Sequence, residues 1–103
     1  MPSIIDTFKE FVEKDPDNAF ARYSLAMVHK SASEFDVARE QFETLMERHP
    51  DYLPAYYQAA QNYEALDEID LARATYERGI EVAEEQGDSH TASEAREALE
   101  MLD

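Results

Sequence analysis

Three histidines, a serine beside one of them and a surplus of carboxylates are the groups here that could do chemistry. His29, His49 and His90 are far apart in the chain, and no two stand three or four residues apart on one helix. That spacing offers zinc no ligand pair. Asp88-Ser89-His90 carries the letters of a hydrolytic triad, yet sequence neighbours cannot adopt triad geometry. Asp88 and Ser89 are better read as helix caps, and His49 as a group favoured by the dipole at a helix C-terminus. Glu84-Glu85 and Asp67-Glu68 are adjacent acids at helix ends, where a solvated face is the default. Carboxylates working as acid and base need a cleft and separated pKa values. Gly79 and Gly87 are the only glycines, so no glycine-rich phosphate loop exists, and without cysteine there is neither thiol catalysis nor a disulfide. The expectation is a protein that is not an enzyme and holds neither cofactor nor metal.

The elements that would position any site are helices. Pro16-Asp17 recurs 34 residues later as Pro50-Asp51. At the same offset Ala21 falls on Ala55, Ala26 on Ala60, Glu34 on Glu68 and Asp36 on Asp70. Ala38 falls on Ala72, Arg39 on Arg73, Glu43 on Glu77 and Glu47 on Glu81. A fixed period of this size marks stacked helical repeats. Apolar residues at spacings of three and four predict a first helix over Ile4–Lys14, with Ser3 as cap. A second is predicted over Asn18–Ser31 capped by Asp17, a third over Phe35–Arg48 and a fourth over Leu53–Leu66 with Pro54 in its first turn. A fifth spans Ile69–Gln86, Gly87 stops it, and a last helix spans His90–Leu102 with Ala92, Ala95, Leu99 and Leu102 as its apolar stripe.

These residues resemble the tetratricopeptide repeat family, in which each repeat is a pair of antiparallel helices. The resemblance implies an all-α fold, its helix pairs stacked as a short right-handed superhelix of about six helices. Ala26 and Ala38 then become the small crossing residues of the first repeat, with Leu25 and Phe42 as the large ones and Pro50 as terminator. Ala60 and Ala72, with Tyr63 and Tyr76, take those places in the second, and Gly79 stands where the family prefers alanine. The chain departs from the pattern at Arg22 and Tyr56, where a tryptophan is frequent, at His29, where a tyrosine is expected, and at Leu45, where a small residue is usual. As a single domain it divides into an N-terminal half-repeat over 1–16, repeats over 17–50 and 51–86, and a capping helix over 87–103.

The family's concave groove is lined by the first helix of each pair. By resemblance its side chains here are Phe20, Tyr23, Met27 and Lys30, then Tyr57, Gln61 and Glu64. Rings and methionine on a groove suit a peptide or protein segment, because rigid rings give contact area at little entropic cost. Alternatively the first helix, the cap or a second copy folds over these residues, giving a self-associating homodimer. Some members clamp a partner's terminal carboxylate with Lys, Asn and Arg. The matching places here carry Tyr23, Met27, Gln58 and Gln61, so recognition of a chaperone tail is not expected.

Charge narrows the partners. The chain has 24 acidic and 9 basic residues, a formal net charge of -15. Nucleic acid and anionic membrane both demand a basic footprint, so neither is expected. A basic or neutral protein partner is; the same acids read alternatively as solvated outer faces that keep the protein soluble, or as adaptation to high salt, where screening relieves the self-repulsion of such a surface. With no cysteine, no long apolar run and no secretory signal at Met1-Pro2-Ser3-Ile4-Ile5-Asp6, the expected location is cytoplasmic.

Overall fold

The computed structural model describes residues 3–102. It contains α1 (Ile4–Lys14), α2 (Ala19–Ser31), α3 (Phe35–Arg48), α4 (Pro54–Ala65), α5 (Ile69–Glu85) and α6 (Ser89–Glu100). No strand occurs among the described residues. The chain forms two compact units, Met1–Tyr52 and Leu53–Asp103. In the first, α2 packs on both α1 and α3; in the second, α5 packs on both α4 and α6.

Local chemistry sets the helix starts. The Ser3 hydroxyl accepts from the Asp6 N–H, and Asp6 returns the bond to the Ser3 N–H, closing a capping box. One expectation is corrected at α2: the cap is Asn18, whose side chain accepts from the Ala21 N–H at 3.0 Å. Asp17 is drawn away instead, its Oδ1 accepting from Arg48 Nη1 at 3.0 Å. Arg22 Nη2 donates to the Pro16 carbonyl at 3.1 Å, so two guanidiniums hold the break between α1 and α2. Asp88 caps α6 by accepting from the Thr91 N–H at 3.0 Å and from its hydroxyl at 2.8 Å. Those two bonds hold the Asp88 carboxyl below the usual carboxylate range.

Three helix ends share one turn. Glu34, Glu68 and Asp88 each donate an N–H to the carbonyl five residues back, on His29, Tyr63 and Ala83. The residues before them, Ser33, Asp67 and Gly87, donate to Lys30, Glu64 and Glu84. This is the Schellman pattern, and it drives its central residue into the left-handed region, with φ of 61°, 58° and 73°. Ser33 and Asp67 stand one repeat apart, so the 34-residue phase extends to backbone conformation.

The short turns make α2–α3 and α4–α5 helix hairpins. Ala26 and Ala38 are fully buried, as are Ala60 and Ala72, the four positions read as crossing points. A methyl side chain lets helix axes approach toward the lower part of the roughly 8–10 Å range. Phe42, Leu45 and Tyr76 fill the space beside them. In the second unit Ala60, Tyr63, Ala72, Tyr76, Ala95 and Leu102 form one cluster, with Leu99 packed against it. Leu102 thus belongs to the core although it lies beyond the end of α6. At Gly79 α5 passes close to α4, since an added Cβ would stand 2.9 Å from the Tyr56 Cβ.

Candidate functional site

α4 displays Tyr57, Gln61 and Glu64 at i, i+4 and i+7, one face of a helix. With Tyr76 of α5 they line a cavity of about 330 Å³. α6 closes it with Glu94, Glu97 and Ala98, from the face next to its buried Ala92 and Ala95, and Met101, just past the helix end, completes the lining. Tyr76 is almost wholly buried, and its hydroxyl donates to Glu64 Oε2 at 2.5 Å. Burial, and then the Glu64 carboxylate, raise the Tyr76 phenol far above its ordinary value. The Tyr57 ring meets Tyr76 edge to face, with centroids 5.7 Å apart and planes at 75°.

The three residues expected from α4 therefore come together. Phe20, Tyr23, Met27 and Lys30 lie on α2 in the first unit, one repeat earlier. Tyr23 is the counterpart of Tyr57, and its ring packs on Tyr52 at 5.6 Å. Burial, then the nearby Tyr52, raise the Tyr23 phenol, and burial lowers the Lys30 ammonium. Phe20 is 67% exposed. Met27 is half-buried.

Sequence reasoning placed Tyr76 in the core and did not connect Glu94, Glu97 and Met101 with a site. Their spacing of three and four on α6, beside its apolar stripe, was the available signal. His29 is buried, with Nδ1 3.1 Å from Glu34 Oε1. Among the described residues no group of three histidines or carboxylates is disposed to hold a metal ion. None of the described helices is long and apolar enough to cross a membrane.

The family model described as tetratricopeptide repeat matches residues 53–86. A tetratricopeptide repeat domain protein from Salinibacter ruber, solved by NMR, is 42% identical over 82% of this chain and 86% of its own, with a TM-score of 0.77. The chain belongs to the tetratricopeptide repeat family. The TPR2B domain of yeast Sti1, solved in complex with pHsp70, superimposes with a TM-score of 0.87 at 19% identity, over 92% of this chain and 76% of its own. The first such repeat of Spaghetti, bound to the HSP90 peptide SRMEEVD, does so with a TM-score of 0.74 at 22% identity, over the same shares of 92% and 76%. These two likenesses show the all-α helical-repeat fold. No curated protein matches the chain.

Proposed function

We propose that this protein is a non-catalytic interaction module of the cytoplasm that binds a peptide or protein segment. Its recognition residues are Tyr57, Gln61 and Glu64 in the second unit, with their counterparts Tyr23, Met27 and Lys30, and Phe20 beside them, in the first. The carrying observation is the cavity of about 330 Å³ on the α4 face. It has the size of an anchor pocket, and rings with a few polar groups are what such pockets use. The domains of Sti1 and Spaghetti, alike in fold, are solved with pHsp70 and with an HSP90 peptide, which supports peptide capture as the use of such a face. With a net charge of -15, a basic or neutral segment is favoured, because electrostatic steering raises its encounter rate.

Selection from a random displayed peptide library on the full chain tests this reading. Enriched sequences are expected to lose affinity on Tyr57→Ala or Tyr23→Ala. Undiminished binding in both variants removes these faces as the site.

A second reading is favoured by α1, where Ile4 is 63% and Phe11 49% exposed. An open apolar stripe of this kind suits a symmetric pair of chains. Light scattering across concentration checks it, and a monomer at high protein and high salt concentration rejects it.

A further inference from the structure

We infer that the α4–α5–α6 cavity seats an arginine side chain of the partner segment. The inference rests on the peptide-binding reading and supplies the partner's chemistry. Its first support is the pair of rings. Tyr76, buried and fixed by its bond to Glu64, braces Tyr57, whose half-buried ring stands across it at 75° and lines the cavity. Ring faces carry the negative part of the aromatic quadrupole and attract a cation laid upon them.

The second support is the charge of the wall. Glu64, Glu94 and Glu97 line the cavity, and no lysine or arginine does. The Glu97 carboxylate pairs with no cation of the described residues, and Glu64 has taken only the Tyr76 hydroxyl. Glu94 meets His90, whose Nε2 lies 2.6 Å from Oε1. A cationic occupant compensates carboxylates that the chain leaves uncompensated, whereas an acidic tail or a phosphate meets repulsion.

The third support is shape. A cavity of about 330 Å³ holds a long side chain together with its adjoining backbone, and Ala98 and Met101 offer apolar surface to a methylene stem. A guanidinium fits better than an ammonium. It is planar, stacks on a ring while donating two parallel bonds to a carboxylate, and is more weakly hydrated.

The test titrates the full chain with three pentapeptides of sequence Ala-Leu-X-Leu-Ala, blocked at both ends, where X is arginine, lysine or citrulline. Citrulline keeps the planar shape and removes the charge. The arginine peptide is expected to bind about tenfold tighter than the citrulline peptide, the factor given by about 1.4 kcal/mol from one charge-assisted bond. Amide shifts are expected at residues 57–64 and 94–101. Glu97→Gln should weaken the arginine peptide severalfold and the citrulline peptide by less, since only the arginine peptide loses a charge pair. Equal affinity of the arginine and citrulline peptides overturns the inference and leaves peptide binding standing. Preference for lysine, shifts elsewhere, or no binding by any of the three overturns it as well. The library selection, which favours no charge, judges peptide binding separately.

Discussion

Replacing Gly87 by alanine isolates the backbone cost of the Schellman turns. Gly87 has φ of 73°, and an added Cβ meets nothing within 4 Å, so crowding plays no part in the outcome. An L-residue in the left-handed region costs about 1–2 kcal/mol. Loss of the unfolded chain's glycine freedom offsets about 0.4–1 kcal/mol of this. The net expectation is destabilisation by about 0.5–1 kcal/mol, a fall of a few °C in Tm at this chain length. Ser33 sits at the same place in the first turn with φ of 61°. Ser33→Gly should therefore stabilise by a similar amount. Asp67→Gly should gain less, because aspartate tolerates this conformation better than serine. Urea unfolding followed by far-UV circular dichroism reads all three. A chemically synthesised chain with D-alanine at position 87 should recover the stability lost with L-alanine. A Gly87→Ala protein as stable as the parent, or a destabilised Ser33→Gly protein, refutes the shared turn.

Gly79→Ala should destabilise although alanine is the better helix former by about 1 kcal/mol, because the new methyl meets the Tyr56 Cβ at 2.9 Å and overpacking costs about 1–3 kcal/mol; a rise in Tm contradicts the close approach. Tyr76→Phe should cost about 1 kcal/mol at neutral pH through the lost bond to Glu64, measured by urea unfolding. The Tyr76 phenol is raised in the folded state, so its contribution is complete below the unfolded value of about 10 and is lost as pH rises beyond it toward the folded value. Alkaline unfolding should accordingly be less steep in Tyr76→Phe, and an identical pH profile counts against that shift. With a net charge of -15, Tm should climb with KCl as screening relieves self-repulsion; a flat response into the molar range removes salt adaptation.

What the sequence revealed depended on how local each determinant is. The Ser3 cap and the bounds of α1 and α3 were legible, because a cap and a stripe lie within a few residues of one another. The start of α2 was misassigned by one residue. Asp17 and Asn18 are both good caps, and the contest is decided by Arg48, 31 residues away. A turn around Ala32-Ser33-Glu34 was legible, but the left-handed backbone of Ser33 and Asp67 was not, because neither residue is glycine, although their equivalence one repeat apart was there to be used. The buried alanines were legible from the repeat phase, and the common α4 face of Tyr57, Gln61 and Glu64 from the family resemblance. Glu94 and Glu97 were not, since their place in the cavity depends on how α6 docks against α5, a tertiary fact with no local signature.

The most direct test of the central claim is a map of backbone amide shifts on the full chain with a library-selected peptide bound. Recognition by the α4 face predicts changes concentrated at Tyr57, Gln61 and Glu64 and from Glu94 on α6 to Met101 at its C-cap. Changes confined to α1, or to the exposed side of α5 around Leu71, would contradict it.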